Sequence, residues 1–346
     1  MKLRSALALV APGTELRDGL ERILRGRTGA LIVLGDDDVV ASMCSGGFTL
    51  DIPFTSTALR ELSKMDGGVV LDNQLQRITR ANVQLLPASD IPTTENGMRH
   101  RTADRVAKQT GFPVISVSQS MHTIALYAEG TRHVLERSDA IISRGNQALA
   151  TLERYRGRLD EELANLTARE LTGMVTVNDV ALVMQRIEMV VRIWNEIDSY
   201  VVELGRDGRL IQLQLDELST GVMRHCDLVL AEYSRVPPEQ ATAELAQLDS
   251  TMLADTAAVA AALGLGADSL GNERTLQPRG LRLLAQIPRL PAAVIEALAA
   301  HFTSVDALFA ASVDDLQEVE GVGPQRAWAI HDGLQRLERD RRRRKH

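Results

Sequence analysis

The sequence has few aromatic residues, few cysteines and no long apolar run. Aromatic residues make up 3% of the 346 residues, so the cores must be built from Leu, Val, Ile and Ala. Cys44 and Cys226 lie far apart and outside any C-x-x-C pattern, which excludes a disulfide framework and a zinc site. They predict a reduced, cytoplasmic protein. No apolar stretch reaches the length of a membrane span and no signal-peptide pattern is present, so we expect no membrane partner.

An excess of positive charge is also missing. The formal net charge is -7, which argues against a protein that coats nucleic acid along its whole length. Any contact with DNA should therefore be local. The apolar content of 45% and the charged content of 25% are ordinary for a soluble globular protein. A chain of this length can hold two or three domains, each with its own core.

The usual nucleotide-binding signatures are absent. Residues 29–35 and 45–48 are glycine-bounded pieces, but neither fits G-x-G-x-x-G or the Walker pattern. The first predicts a core strand and the second a turn. Four further histidines, at positions 122, 133, 225 and 301, show no metal-ligand spacing.

The pattern of apolar residues predicts three domains. Residues 1–137 are expected to form an α/β domain with a mixed sheet flanked by helices, residues 138–275 an all-α spine, and residues 276–346 a helix-hairpin-helix domain with a basic tail. In the first domain we predict helices over 14–27, 56–65 and 102–109, and strands over 30–34, 69–71, 114–117 and 124–127. Thr14 and Gly111 are the expected caps of two of these helices. Alternation of Ile211, Leu213 and Leu215 around Asp207-Gly208 predicts a hairpin within 201–215.

Two strings in the first domain suggest chemistry. Asp66-Gly67-Gly68 puts a carboxylate on a flexible loop, where it could act as a general base or a metal ligand. Arg99-His100-Arg101-Thr102 puts three potential cations at a predicted helix start, which suits a polyphosphate. Thr102 could also cap that helix. Each string has a plain structural alternative: an ordinary Asp-Gly turn, or a solvated basic turn paired with Glu95 or Asp104.

A third string, Gly321-Val322-Gly323, fits a helix–hairpin–helix. The N–H groups of such a loop can hold a DNA phosphate without reading sequence. A structural hairpin in a protein contact remains an alternative, because residues 306–340 carry eight acidic and three basic side chains. The terminal run 341–345 reverses that sign but is typical of a disordered, solubilising tail. We therefore expect modest, salt-dependent DNA affinity.

With these strings in place, the chain resembles the DisA family of bacterial DNA-integrity scanning proteins with diadenylate cyclase activity. The resemblance covers nearly the whole chain and is carried by residues 29–33, 46–48, 64–68, 81–85, 99–105, 138–153 and 319–324. It implies condensation of two ATP molecules into cyclic di-AMP, with two pyrophosphates released and Mg or Mn as cofactor. It also implies a homo-octamer in which two cyclase domains face each other, and suppression of the cyclase by branched DNA such as a recombination junction.

The resemblance also assigns roles to residues. Asp66 would help activate the ribose 3′-hydroxyl and lie near the metal. Gly67 and Leu85 would line the nucleoside pocket, with Gly68 in the same loop. Arg99, His100, Arg101 and Thr102 would hold the triphosphate, with Ser118 as a further phosphate contact, and Gly321, Val322 and Gly323 would contact DNA.

The sequence departs from the family pattern at two positions. Gly68 replaces the usual Ala, which adds flexibility but removes no functional group. Met98 stands where a small hydroxyl residue often precedes Arg-His-Arg, which could cost one phosphate hydrogen bond and so affects the expected ATP affinity. Two rival hypotheses remain: a non-enzymatic, nucleotide-binding DNA-repair scaffold, and a nuclease, which a missing carboxylate cluster disfavours.

Overall fold

The computed structural model describes residues 3–266 and 274–343. The chain folds into two compact units. Unit 1 comprises residues 1–149 and 196–215, and unit 2 comprises residues 150–195 and 216–346. Helices α6 (Ser138–Thr172) and α7 (Val177–Leu204) contribute residues to both units. The predicted boundaries after residues 137 and 275 stay a prediction.

Unit 1 is built around one mixed sheet with helices on both faces. Its elements in chain order, up to the first long helix, are α1 (Leu3–Leu9), α2 (Glu15–Arg25), β1 (Ala30–Leu34), α3 (Asp38–Met43), β2 (Cys44–Ser45), β3 (Phe48–Pro53), α4 (Ser56–Leu62), β4 (Gly68–Leu71), β5 (Arg77–Leu85), α5 (Met98–Thr110), β6 (Val114–Ser118), β7 (Thr123–Ala128) and β8 (Thr131–Val134).

The sheet places the starts of β1 and β4 beside the ends of β5 and β6. The strand order is β2-β5-β4-β1-β6-β7-β8, and β3 pairs with β5. Strands β1 and β4 run parallel, whereas β5 is antiparallel to β4, and β6 is antiparallel to β1. In register, Gly68 lies opposite Val83, and Ala30 lies opposite Val117. The loops that precede the parallel strands therefore open at one edge of the sheet, where the candidate site lies.

Burial on both faces explains the short apolar strands. All five residues of β1 and all four of β4 are buried, as expected for strands covered by helices on each side. One face packs against α1, α2 and α4, and the other packs against α3 and α5. The predicted caps are also present: Thr14 accepts a hydrogen bond from the Arg17 N–H, and Gly111 ends α5 in the left-handed region with φ 71°.

Helices make up most of the remaining chain. In order, the elements are α6 (Ser138–Thr172), β9 (Val175–Thr176), α7 (Val177–Leu204), a 3₁₀ turn (Gly205–Gly208), α8 (Arg209–Ser219), α9 (Val222–Tyr233), α10 (Pro238–Gln247), α11 (Ser250–Ala254), α12 (Thr256–Ala262), β10 (Thr275–Leu276), α13 (Leu281–Leu284), α14 (Ala292–His301), α15 (Val305–Ala310), α16 (Val313–Gln317) and α17 (Pro324–Arg343).

The predicted hairpin within 201–215 is wrong. The chain continues as α7, a 3₁₀ turn and α8. Ile211 and Leu215 are buried while Leu213 is 53% exposed. A spacing of four residues puts Ile211 and Leu215 on one helical face, so a three-residue alternation could not distinguish a strand from a helix. The terminal basic run also differs from expectation: Arg341, Arg342 and Arg343 continue α17, whereas residues 344–346 lie outside the described residues.

A buried ion pair joins α6 to α13 inside unit 2. An Arg282 guanidinium nitrogen lies 2.9 Å from a Glu170 carboxylate oxygen, and the Tyr233 hydroxyl donates to the same oxygen at 2.7 Å. Burial raises the pKa of Glu170 to about 7, against the opposing effects of Arg282 and Tyr233. Because neither partner can be rehydrated where it lies, removing one of them would leave a costly unpaired group.

Candidate functional site

A cavity of about 1380 Å³ opens at the edge of the sheet described above. It is formed by the loop before β4, the ends of β5 and β6, and the start of α5. Its lining combines apolar side chains, such as Leu31 and Leu85, with charged and hydroxyl groups. Ligand sites in proteins commonly have this combination, because the apolar surface holds the ligand and a few polar groups orient it.

Asp66 and Arg99 meet in this cavity although 33 residues separate them. An Arg99 guanidinium nitrogen donates to the Asp66 carboxylate. The Asp66 side chain is 95% exposed, so water screens the pair and it adds little to stability. Both groups can therefore turn to a ligand at small cost.

Gly29 makes room for the Arg99 side chain. A Cβ atom built at Gly29 would lie 1.9 Å from the Arg99 Nη1 atom and 2.7 Å from its Cζ atom. No heavy-atom contact of that length is tolerated. The absence of a side chain at Gly29, just before β1, is thus a condition for this position of the guanidinium.

Gly67 is fixed against β5. A Cβ atom on Gly67 would lie 2.3 Å from the carbonyl carbon of Asn82. The Asn82 side chain in turn accepts a hydrogen bond from the Gly67 N–H at 3.2 Å, and Asn82 itself has a positive φ of 55°, which Asn tolerates better than most residues. Gly68 differs, because its Cβ would meet the movable Leu85 side chain at 3.1 Å. Only the first of the two glycines is sterically obligatory.

The start of α5 faces the same cavity. The helix begins at Met98, and its N-cap residue Gly97 provides no capping side chain. The prediction that Thr102 caps the helix is therefore wrong, because Thr102 lies one turn inside it. Gly97, Met98 and Thr102 all line the cavity. The first N–H groups of a helix have no acceptor within the helix, which makes this end suited to an anion.

His100 is a buried, neutral group rather than a third cation. Its Nδ1 atom hydrogen-bonds the Tyr127 hydroxyl at 2.8 Å. Burial lowers the pKa of His100, and Arg132 adds to this effect against the opposing effect of Glu95. Burial likewise raises the pKa of Tyr127. His100 can therefore offer a ligand one ring nitrogen but no charge at neutral pH.

The structure brings eight of the nine predicted nucleotide contacts together. The residues that line the cavity are Asp66, Gly67, Gly68, Leu85, Arg99, His100, Thr102 and Ser118. Arg101 is exposed and is not among the lining residues within the described chain. Sequence reasoning did not assign other members of the lining to the site, namely Arg27, Leu31, Asn82, Val83, Gln84, Gly97, Ser116, Val117, Gln119, Ser120 and His122.

The residues at the cavity suit a metal ion that is held mostly by oxygens of a bound nucleotide and only to a small extent by the protein. In the described residues, no group of three or more His, Cys, Asp and Glu side chains is placed to hold an ion. Asp66 is instead a single exposed carboxylate at the cavity. Mg²⁺ is often bound by one or two carboxylates, with phosphate oxygens and water as the other ligands, and Asp66 meets that requirement.

The C-terminal hairpin lies between α16 and α17. Gly321 has a φ of 82°. In the turn between α13 and α14, Arg289 lies two residues after Ile287 as Gly321 lies two residues after Val319, and it also has a positive φ, of 61°. The Val322 side chain is buried in the core of this segment, so only its backbone is available to a ligand. Gly321 and Gly323 are exposed, and Arg326 donates to the Gly321 carbonyl. The loop therefore exposes its backbone at Gly321 and Gly323, while the buried Val322 side chain and the Arg326 hydrogen bond hold that backbone in place.

Comparison with protein families matches all three parts of the chain. Residues 17–132 match the DisA bacterial checkpoint controller nucleotide-binding region, residues 135–270 match the linker region of the same proteins, and residues 283–339 match a helix-hairpin-helix motif. The DNA integrity scanning protein DisA of Streptomyces coelicolor is 57% identical over 97% of this chain and 91% of its own length. That of Kineococcus radiotolerans is 58% identical over 97% and 95%.

The chain belongs to the DisA family. The predicted fold class is thereby confirmed: an α/β nucleotide-binding domain, a helical linker and a helix-hairpin-helix segment. The cavity of this DisA-family chain lies within the matched nucleotide-binding region, and Gly321 lies within the matched helix-hairpin-helix motif. Among the described helices, none is both long and apolar enough to cross a membrane.

Proposed function

We propose that this chain is a diadenylate cyclase that condenses two ATP molecules into cyclic di-AMP. The observation that carries the proposal is the Asp66 carboxylate, which lies beside Arg99 at a cavity that also receives the uncapped start of α5. A base next to an anion site is the arrangement that a hydroxyl attack on a phosphate requires. The DisA relatives at 57% and 58% identity support the same interpretation.

The reaction consists of two equivalent phosphoryl transfers. In each, the 3′-oxygen of one ATP bonds to the α-phosphorus of the other, the bond to the β-phosphate oxygen breaks, and pyrophosphate leaves. The hydroxyl proton passes to Asp66 or to solvent. Two such transfers close the ring and release two pyrophosphates. Phosphoryl transfer depends mainly on alignment and charge neutralisation.

The lining residues divide into two groups with different tasks. Gly67, Leu31 and Leu85 form the apolar and close-packed part, which suits a nucleoside. Arg99, Ser118 and the start of α5 suit the triphosphate. Met98 contributes no hydroxyl there and is 86% exposed. Mg or Mn, held by Asp66 and phosphate oxygens, would supply further charge neutralisation.

Synthesis requires two domains that face each other, since each cavity holds one ATP and the attacking oxygen comes from the other nucleotide. A homo-octamer that pairs the domains in this way is part of the proposal. Arg101 is exposed outside its own cavity, where it can meet phosphates held by the facing domain. We expect a cytoplasmic location, where ATP and DNA would both be available as partners.

The C-terminal segment would bind branched DNA and suppress the cyclase. Support comes from the exposed backbone at Gly321 and Gly323 and from the family match over 283–339. Arg289, at the matching position in the turn before α14, adds a cation to the segment 283–339, whose net charge is negative. Such contacts with phosphate do not depend on base sequence.

The test is incubation of the full-length protein with ATP and Mn, followed by mass spectrometry of the nucleotide products, with and without a four-way junction. Wild type should form cyclic di-AMP, and the junction should reduce the yield. Asp66→Asn should remove at least about 99% of the product, because loss of a general base typically costs a factor of 10²–10⁴. Asp90→Asn is the matched control, since Asp90 is an exposed carboxylate outside the cavity lining.

Product formation that survives Asp66→Asn would remove Asp66 from the mechanism. Binding of both ATP and the junction by wild type without any turnover would favour the scaffold hypothesis instead. Cleavage of the junction in the presence of Mg would favour a nuclease.

A further inference from the structure

Ser116 is a buried polar residue of the cavity lining. It lies in the middle of β6, its relative exposure is 0%, and it is one of the lining residues. Its Oγ atom has no hydrogen-bond partner among the described residues. A buried hydroxyl without a partner lowers stability, so its presence at this position calls for a partner that arrives with a ligand.

The residues around Ser116 suit the purine ring of a nucleotide better than its phosphates. Across the sheet, Ser116 pairs in register with Leu31 on β1 and Ala125 on β7, both of which are buried. Side chains alternate between the faces of a strand, so Ser116 shares its face with Val114 and Ser118. Val114 packs in the same cluster as Leu31, Leu85 and Ala125, whereas Ser118 lies at the end of β6. The charged groups Asp66 and Arg99, by contrast, are exposed at the cavity, with 95% and 39% of their side-chain surface accessible. A flat, weakly polar ring suits the apolar part better than a triphosphate does.

We propose that the Ser116 hydroxyl hydrogen-bonds the purine base of the bound nucleotide. The inference rests on the proposed function, because it takes a nucleotide as the ligand of this cavity. A hydroxyl can both donate and accept, so it can bond either a ring nitrogen or the exocyclic amine of adenine. The contact would give the buried Ser116 hydroxyl, which lies between Leu31 and Ala125, the hydrogen-bond partner that it lacks among the described residues.

The proposal makes an unusual pair of expectations for Ser116→Ala. In the protein without nucleotide, the variant should melt at the same temperature as wild type or higher, because it removes an unpaired buried hydroxyl. Nucleotide binding should nevertheless weaken by about 5- to 10-fold, as expected for one lost hydrogen bond. A residue with only a structural role would give the reverse: a lower melting temperature and unchanged binding.

The matched control is Ser63→Ala. Ser63 is also buried in unit 1, but its hydroxyl donates to the Leu59 carbonyl at 2.7 Å. Ser63→Ala should lower the melting temperature and leave nucleotide affinity within about twofold of wild type. Ser116→Cys provides a second variant of similar shape whose thiol is a weak donor, and it should also weaken binding.

The experiment is calorimetric titration of the full-length protein with 3′-deoxy-ATP, which cannot condense because it lacks the attacking hydroxyl. The same titrations are repeated with 3′-deoxy analogues that lack in turn N1, N3, N7 and the exocyclic amine. The penalty of Ser116→Ala should disappear with the one analogue that lacks the contacted atom. A penalty of equal size with every analogue would overturn the assignment to the base.

Two other outcomes are decisive. Equal affinity of wild type and Ser116→Ala for 3′-deoxy-ATP would overturn the inference about Ser116 alone and leave the proposed function standing. Failure of wild type to bind 3′-deoxy-ATP at all would overturn both.

Discussion

Gly67 decides whether the loop before β4 can take its observed path. Its Cβ would lie 2.3 Å from the carbonyl carbon of Asn82 and 2.5 Å from its Cα atom. These are backbone atoms of β5, next to the point where its register with β4 shifts, and they cannot give way as the end of a flexible side chain would. Asp66, the adjacent residue, would be displaced together with the loop.

Gly67→Ala should therefore reduce cyclic di-AMP synthesis by about 100-fold or more, since a displacement near 1 Å can cost a factor of 10² in catalysis. Gly68→Ala is the matched control. Its Cβ would meet the movable Leu85 side chain at 3.1 Å and the Val83 carbonyl oxygen at an ordinary contact distance of 3.4 Å, and its activity should stay within a few-fold of wild type. Initial rates measured by mass spectrometry check both. Equal losses in the two variants would show that loop flexibility, rather than contact with Asn82, limits activity.

Individual site residues were predictable where they belong to a distinctive string. Asp66 and Arg99 were found in this way, and the structure brings them together. Gly29 and Ser116 were not, because one resembles a strand boundary and the other is a single polar residue in a buried strand. Their importance depends on atoms that are distant in sequence, so local patterns could not show it.

Among the helices and strands, apolar runs decided what could be predicted. The buried strands β1, β4, β6 and β7 were expected, as was the long helix α6. Strand β5 was not predicted because Arg77, Thr79 and Arg80 interrupt its pattern. The start of α5 was placed four residues late, since Gly97 offers no capping side chain to mark it.

A titratable pair within unit 1 joins β8 to α7. His133 Nε2 lies 2.9 Å from a Glu203 carboxylate oxygen. The hydrogen bond to Glu203 raises the pKa of His133 above its ordinary value, against the opposing effect of burial. A raised folded-state pKa means that the pair stabilises the fold fully below about pH 6.5 and that this contribution is lost as pH rises through the folded-state pKa.

His133→Gln should therefore destabilise the protein more at pH 5.5 than at pH 8.5, with a difference of about 0.5–1 kcal/mol. Urea denaturation of the full-length protein at both pH values gives this difference. Glu203→Gln should show the same pH trend, and the double variant should show no further loss. A larger effect at pH 8.5 than at pH 5.5 would contradict the assigned direction.

The hairpin between α16 and α17 can be tested at two glycines, of which only Gly323 accepts a side chain without backbone strain. Gly321 has a positive φ, so Gly321→Leu combines strain with a blocked surface. At Gly323 a Cβ would meet no described atom within 4 Å. Both leucine variants should weaken binding to a four-way junction by about tenfold, the effect of one or two lost phosphate hydrogen bonds, and leave basal synthesis unchanged.

Fluorescence anisotropy with a labelled junction measures the binding, and product formation without DNA measures the basal rate. Gly323→Leu is the more informative variant because its backbone is unstrained. A parallel loss of junction binding and basal synthesis would show that the hairpin has a structural role.

The proposed synthesis of cyclic di-AMP should depend on assembly, because one cavity alone does not hold both nucleotides of the reaction. Once dilution separates the chains, the rate of cyclic di-AMP formation per chain should fall in proportion to protein concentration. Mass photometry on the same dilution series reports the oligomer, and mass spectrometry reports the product. A constant rate per chain in samples that contain only single chains would rule out synthesis between facing domains.

The architecture of the complete chain was largely predictable, because its three parts differ in composition and period. The α/β pattern, the long helices and the glycine hairpin each follow from local sequence, and the family matches confirm their order. The hairpin wrongly predicted within 201–215 shows where prediction from local sequence patterns fails. Packing of Ile211 and Leu215 against distant residues, rather than their local alternation, fixed that segment as a helix.

The space left by Gly29 links two positions that are seventy residues apart in the chain. A side chain at position 29 would force the Arg99 guanidinium out of its present position, and because that group ends a flexible side chain it could move away from Asp66. An alanine at position 29 would therefore disturb the contact between Asp66 and Arg99 even in a chain that keeps every residue of both short strings. The strings alone are thus an incomplete guide to whether this site forms.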